Sequence, residues 1–232
     1  MAESFYRPYV DVLAELFYPQ RCVGCERRAS DVLCRGCFEA LPLVGRPFCG
    51  RCGAPTAFEV FGCGECRNRD FGFDGARAPL RYEGVGKELV HALKYRGYLG
   101  VVRKVMGPLM SGALDGGARF DLVTPVPLHR SRLARRGFNQ AELMAKSVAQ
   151  RISAPVLDKL KLVRRTRDQI ELSASARREN VSGAFVSRGP VAGRVLLVDD
   201  VFTTGATLSE CARVLRHAGA EEVQALTLCR NV

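Results

Sequence analysis

V-L-L-V-D-D-V-F-T-T-G-A-T, residues 195–207, decides the fold. Val195 to Val198 form an unbroken apolar run, the pattern of a strand buried on both faces of a parallel sheet. Asp199 and Asp200 stand where that run ends. Thr203, Thr204, Gly205, Ala206 and Thr207 follow as a loop of small and hydroxylic residues. Leu208, Cys211, Val214 and Leu215 then recur at helical spacing, which predicts a helix over 206–218 closed by Gly219. A loop of this kind at a helix start presents backbone N–H groups as a phosphate cradle. Acids just ahead of it suit a ligand whose ribose hydroxyls lie close to its phosphate. An ordinary strand–turn–helix, in which Asp or Thr merely caps the helix, needs one such residue, and six stand here in order.

Working outward, residues 76–82 alternate like a strand, and 85–95 and 98–114 carry helical patterns. Asp121–Thr124 is a strand closed by Pro125 and Pro127, 138–151 a helix, 184–186 a short strand, and Val223–Leu228 a last strand. Alternation of strands and helices with near-continuous apolar strands predicts an α/β fold with a parallel sheet. In such sheets ligands sit outside the carboxyl ends of the strands. The basic loop P-V-P-L-H-R-S-R-L-A-R-R-G-F-N-Q, Pro125 to Gln140, therefore faces the same crevice as Asp199 and Asp200. Asn139 is expected to cap the helix after it, and His129, with nothing beside it to orient it, reads as a polar loop residue.

The chain has 232 residues, 47% of them apolar, enough for one medium domain plus a small module. No run approaches the length of a membrane span, and acids among the first apolar residues exclude a secretory leader, so the expected location is the cytoplasm. Net charge is +11. Thirteen Lys or Arg against four acids lie between Arg130 and Arg178, so the charge is concentrated and predicts an anionic ligand, a small-molecule phosphate or a nucleic-acid backbone.

Eight of the ten cysteines form four C-x-x-C pairs: Cys22/Cys25, Cys34/Cys37, Cys49/Cys52 and Cys63/Cys66. Two knuckles complete a tetrahedral shell of four thiolates, so eight ligands make two structural zinc sites with no open position for substrate. A disulfide framework does not suit a chain read as cytoplasmic. Sequential and cross-braced pairing use the same ligands, and both fit. Cys211 and Cys229 read as small core residues. The expected organisation is an N-terminal helix in residues 1–19, a double zinc-ribbon module over 20–68, and an α/β domain over 69–232.

The D-D-x-x-T-T-G-x-T stretch resembles the PRPP-binding signature of type I phosphoribosyltransferases. That resemblance implies that Asp199 and Asp200 hold the ribose hydroxyls and orient the ribose in catalysis, while Thr203, Thr204, Gly205, Ala206 and Thr207 wrap the 5-phosphate. It also implies a pyrophosphate loop in the Pro125–Gln140 segment, where Arg135, Arg136 and Gly137 are the candidate anion contacts, and magnesium arriving with PRPP. The four knuckles, Leu93-Lys94-Tyr95, R-R-G-F-N-Q, the spaced segment T-x-x-Q-x-x-L-x-x-x-x-R-x-x-N-V-x-G-A-F (Thr166 to Phe185) and the PRPP stretch together resemble the ComF family. The match runs from about Tyr18 to Arg230. It implies a zinc-ribbon module on a phosphoribosyltransferase-like domain, and a competence protein assisting uptake of single-stranded DNA in natural transformation.

Two functions follow from the resemblance. One is a binding module that holds PRPP or a nucleotide phosphate and contacts single-stranded DNA, handing it to a competence helicase or recombination mediator. Arg164, Arg165, Arg167 and Arg177 are its candidate lid and DNA-backbone contacts. The other is an active transferase that passes phosphoribosyl from PRPP to a nucleobase-like acceptor. The sequence shows no aromatic cluster near the crevice for a base, so the zinc module is the expected source of any hood. Between Arg130 and Arg178 only Phe138 is aromatic.

Overall fold

A computed structural model describes residues 20–67, 69–114, 118–164 and 180–231. The helix expected within residues 1–19 lies outside them. In chain order the elements are α1 (Arg35–Glu39), β1 (Gly75–Arg77), β2 (Leu80–Arg81), α2 (Gly84–Arg96), α3 (Gly107–Gly112) and β3 (Leu122–Pro125). There follow α4 (Arg130–Arg136), α5 (Gln140–Ile152), β4 (Leu160–Leu162), β5 (Phe185–Ser187), β6 (Arg194–Phe202), α6 (Ala206–His217) and β7 (Glu222–Arg230). A π-helical turn, Val102–Met106, precedes α3. Five strands make one parallel sheet in the order β1–β7–β6–β3, with β2 also on β7, while β4 and β5 form a separate antiparallel ribbon.

The unbroken apolar run of β6 is explained by burial on both faces. Val195 and Leu197 point into one core with Leu208, Cys211, Ala212 and Leu215 of α6. Leu196 and Val198 point into the other, with Leu89, Met106, Met144 and Val148. Each such leucine or valine removed from water contributes about 1.5–3 kcal/mol. Cys211 and Cys229 are buried in these cores, as their positions suggested.

Several elements differ from the sequence reading, and the single strand expected over 76–82 is split into β1 and β2. The strand does not stop at Asp199: pairing continues through Asp199 with Thr227, Val201 with Cys229 and Phe202 with Arg230, so both acids lie within it. The basic stretch read as a loop contains α4, a seven-residue helix whose first turn is capped by His129, Nδ1 accepting from the Ser131 N–H at 3.2 Å. The helix expected over 98–114 is interrupted by its π turn, just ahead of Pro108, which has no N–H to contribute. At the end of α6 the expectation holds. Gly219, at φ +112, lets its N–H reach the Arg216 carbonyl and that of Ala220 the Leu215 carbonyl, each at 3.0 Å.

The cysteine-rich chain covers the sheet edge. The Val44 N–H donates to Pro79, Arg81 to Pro42 and Ala76 to Arg51, at 2.8–2.9 Å, so the outer strands present no bare edge. Residues 69–75 dock on α6: the Gly72 N–H donates to Ser209 Oγ at 2.9 Å and Arg213 to the Asp70 carbonyl at 2.6 Å. Cys49, Cys52 and Cys66 accordingly share a core with Phe71, Phe73, Leu197 and Phe202.

Candidate functional site

At the carboxyl end of β6 the Asp200 carboxylate is nearly buried and is held from two sides. Lys94 Nζ, from the last turn of α2, lies 2.9 Å from its Oδ2, and Gln140 Nε2, the first residue of α5, donates to the same oxygen at 2.8 Å. Arg136 in turn donates to Gln140 Oε1. Burial would lower the Lys94 pKa, but the carboxylates of Asp200 and Asp199 outweigh it and raise the pKa above the ordinary lysine value. Asp199 accepts the Asp200 N–H at 2.8 Å. Burial first, and then the neighbouring Asp200 charge, push the Asp199 carboxyl up to about 7. The two acids thus differ in environment: one is neutralised by a lysine, and the other is held close to neutral pH.

The Thr203–Thr207 loop follows directly. The N-cap position of α6 is Gly205, which has no side chain to offer, and Thr204 Oγ1 accepts the Ala206 N–H at 3.4 Å, so one of these residues serves the helix start while the others are left to the loop. Gly205 makes the turn at φ +75, and a Cβ there would come within 2.8 Å of Phe202 Cζ and 2.9 Å of Phe71 Cε1. Arg69 Nη1 donates to the Thr204 carbonyl at 3.5 Å, which is where the chain beyond the cysteine module reaches the loop. A cavity of about 550 Å³ opens beside it, lined among others by Arg69, Phe71, Ser182, Thr204 and Arg213.

Of the candidate anion contacts, Arg136 is brought to the crevice and Arg135 is exposed beside it on α4, which Gly137 closes. Burial lowers the Arg136 pKa, and the Asp200 charge opposes that shift. Asn139 caps α5 as expected, accepting the Ala141 N–H at 3.0 Å. Arg164 donates to the Asn180 and Ser182 carbonyls at 3.3 and 2.7 Å, so it anchors the chain next to residue 180. Arg165, Arg167 and Arg177 lie outside the described residues. Elsewhere in the basic window Arg151 holds the Ser147 and Arg103 carbonyls and Lys159 the Pro190 carbonyl. The charge is therefore partly spent on local structure.

The sequence shows no aromatic cluster near the crevice, and the structure brings one exposed ring there from a distant helix. Tyr95, 64% exposed, lies with its ring centroid 5.9 Å from the Arg136 guanidinium. His91 meets Tyr95 edge-on at 5.5 Å and is itself hydrogen-bonded to Tyr82, 3.2 Å from Nε2 to the phenol oxygen. These residues come from the turn after β2 and from α2, remote in sequence from the acids. The L-K-Y run was visible as a motif, yet nothing local said that its lysine and tyrosine close on Asp200 and Arg136.

The eight knuckle cysteines gather as Cys22, Cys25, Cys34 and Cys37, and as Cys49, Cys52, Cys63 and Cys66, which settles the pairing as sequential. Within each set all four sulfurs lie within 4.8 Å of one another, and close pairs stand at 3.5–3.8 Å. Four thiolates around zinc at about 2.3 Å require a separation of about 3.8 Å, whereas a disulfide requires about 2.05 Å. The Cys34 and Cys63 N–H groups donate to Cys22 and Cys49 sulfur at 3.3 and 3.4 Å, as zinc knuckles do. A hydrogen bond from Arg27 draws the Cys25 thiol down to about 6, while burial pushes Cys37 well up. Sulfurs this close cannot all ionise without a cation among them. Both sites fit structural zinc.

Comparison with known proteins agrees with this geometry. Residues 13–67 match the double zinc ribbon domain family and residues 135–232 the phosphoribosyl transferase domain family. Competence protein F of Haemophilus influenzae is 33% identical over 227 residues, 92% of this chain and 98% of that protein. DNA utilization protein YhgH of Salmonella typhimurium is 33% identical over 79% of this chain and 84% of its own, and competence protein ComFC of Streptococcus pneumoniae 28% identical over 88% and 90%. Among solved structures, glutamine phosphoribosylpyrophosphate amidotransferase of B. subtilis aligns over 53% of this chain and 25% of its own, at 28% identity and a TM-score of 0.37. With a near-complete match to Competence protein F, and a double zinc ribbon ahead of a phosphoribosyltransferase domain, this chain belongs to the ComF family of competence proteins.

Proposed function

We propose that the crevice binds the phosphoribosyl group of PRPP or of a nucleotide, and that the protein uses it while handling single-stranded DNA during natural transformation in the cytoplasm. One observation carries the reading: Asp200, fixed between Lys94 and Gln140, sits on the same strand end as Asp199 and the Thr203–Thr207 loop. Carboxylates there accept from ribose hydroxyls, loop N–H groups face the 5-phosphate, and Arg136 with Arg135 faces the pyrophosphate. Magnesium enters with the pyrophosphate and offsets its charge. Relatives named for competence and DNA utilization support the DNA role, with a helicase or recombination mediator as the receiving partner. Titration calorimetry with PRPP–Mg tests the site. Binding that survives Asp199→Asn with Asp200→Asn overturns it, since each charged hydrogen bond lost is expected to weaken binding by about 1.5–3 kcal/mol.

Transfer to an acceptor is the second reading, and Tyr95 favours it. An exposed ring beside Arg136 is a place for a planar base to stack, next to the carbon where positive charge would develop. Pyrophosphate released from PRPP only when a nucleobase is supplied would establish the transferase.

A further inference from the structure

Arg230 ends β7 with 1% of its side chain exposed. A guanidinium so buried needs counter-charge. Among the described residues its guanidinium donates to two groups of the second cysteine module, the Cys52 carbonyl and Glu65, the latter at 3.2 Å and lying between Cys63 and Cys66 in sequence. Glu65 is half-exposed and neutralises it only in part. Four thiolates around one divalent ion leave an excess of negative charge, and Cys52, one of the four ligands, carries the carbonyl that the guanidinium reaches.

The other side of Arg230 reaches the phosphate loop. Its guanidinium lies over the Phe202 ring at 5.0 Å, and the two residues are paired in register between β6 and β7. Phe202 immediately precedes Thr203. Its ring packs against Phe71 and Phe73, each at 6.1 Å, and against the Gly205 turn, where even a methyl group would not fit. Metal cluster, Arg230, Phe202 and Gly205 therefore form one continuous set of contacts. The first cluster is placed differently: Arg96 of α2 donates to the Val23 carbonyl, and Lys104 pairs with Asp31, both away from the loop.

We propose that Arg230 is a positioning residue that ties the ion held by Cys49, Cys52, Cys63 and Cys66 to the shape of the Thr203–Thr207 loop, so that filling this one metal site and binding a phosphoribosyl group favour each other. The linkage rests on the phosphoribosyl reading above. If the ion is lost, Arg230 keeps only Glu65 and moves toward water; Phe202 then loses its cover and Gly205 its abutment. Linkage is reciprocal, so ligand on the loop must hold this ion more tightly. The ion at Cys22, Cys25, Cys34 and Cys37 takes no part.

The full-length protein loaded with two zinc ions tests this. A chelator strips the metal while N-ethylmaleimide traps each freed thiol, and peptide mass spectrometry assigns the release to Cys22–Cys37 or to Cys49–Cys66. In Arg230→Met the second site should empty roughly tenfold faster or more with the first unchanged, and Arg230→Lys, which keeps the charge, should recover part of the difference. In the wild-type protein, which needs no variant to fold, PRPP–Mg should slow release from the second site alone. Equal release from Arg230→Met and wild type overturns the proposal. So does PRPP that binds by calorimetry yet slows neither site or both alike. No calorimetric binding at all removes the phosphoribosyl reading and the linkage with it, while the Arg230→Met comparison still shows whether Arg230 serves the metal.

Discussion

Lys94 and Asp200 form a nearly buried ion pair, Nζ to Oδ2 at 2.9 Å with side chains 21% and 10% exposed, joining α2 to the strand end that carries the Thr203–Thr207 loop. Removing one member leaves the other charge in a poor solvent. Lys94→Met is therefore expected to destabilise the protein by about 3–5 kcal/mol in urea unfolding. Adding Asp200→Asn should return most of that loss, because an amide can still accept from Gln140 without needing a counter-ion. A double mutant no more stable than Lys94→Met would show that lysine packing, not its charge, matters here.

Asp199 makes a pH prediction with a definite sign. Its folded pKa, about 7, lies above its ordinary value of 3.8, so the folded protein holds a proton that the unfolded chain has released. The stability this contributes is complete below pH 3.8 and is lost as pH rises to about 7. Between pH 5.5 and 7, wild-type stability should fall relative to Asp199→Asn by up to about 1.4 kcal/mol per pH unit. Parallel stability curves for the two proteins across that window would contradict the buried, raised carboxyl.

Gly205 fixes the loop geometry. Gly205→Ala places a β-carbon at φ +75 against Phe202 and Phe71, and the backbone strain alone is worth about 1–2 kcal/mol. The variant should stay folded, with a melting point lower by several degrees, and should lose PRPP binding by calorimetry. Unchanged affinity would mean that the loop does not wrap the phosphate.

How much of this could be read from the chain depends on distance along it. The Thr203–Thr207 loop was legible because strand, acids, glycine and helix are consecutive and each has a local signature. The metal ligands were legible because the C-x-x-C spacing is itself local, although the pairing of knuckles needed the fold. Lys94 and Gln140 stood in the L-K-Y and R-R-G-F-N-Q motifs with no partner assigned to them, and Arg230 stood in none. Each is an ordinary polar residue at the end of a helix or strand, and its role comes from what the sheet order places beside it: Asp200 for the first two, Cys52 and Glu65 for the third. The helix Arg130–Arg136 was hidden because arginine-rich stretches look alike whether coiled or helical, and none of its residues is fully buried; Arg136, half-buried, reaches Gln140.

Zinc removal reaches beyond the ribbons. Metal analysis is expected to give two ions per chain, one for each set of four sulfurs. Because Ala76 and Arg81 bond to the cysteine-rich chain, stripping both ions should speed amide exchange in β1 and β2 as well as in residues 20–67. Protection in β6, buried between two helical layers, should persist. Exchange confined to the cysteine-rich residues would show that the sheet edge stands without them.

Tyr95 offers a direct test of whether single-stranded DNA reaches the crevice. The chain contains no tryptophan, so Tyr95→Trp introduces a lone indole beside Arg136. A base stacking on it should quench its fluorescence, and an abasic strand of equal length should not. Tyr95→Ala should weaken binding by about 1–3 kcal/mol, the usual value of one stacked base. Binding carried mainly by arginines must also weaken with salt. If four phosphates are contacted, log affinity against log salt should fall with a slope of about −2.8, at about 0.7 per phosphate, and Arg135→Ala should flatten it by about one contact. Arg164→Ala should leave the slope alone, since that guanidinium is already bonded to the Asn180 and Ser182 carbonyls. PRPP that competes with the strand and relieves the quench would place DNA and phosphoribosyl group in the same crevice. Strong binding without quenching or competition would move the DNA path to another face of the protein.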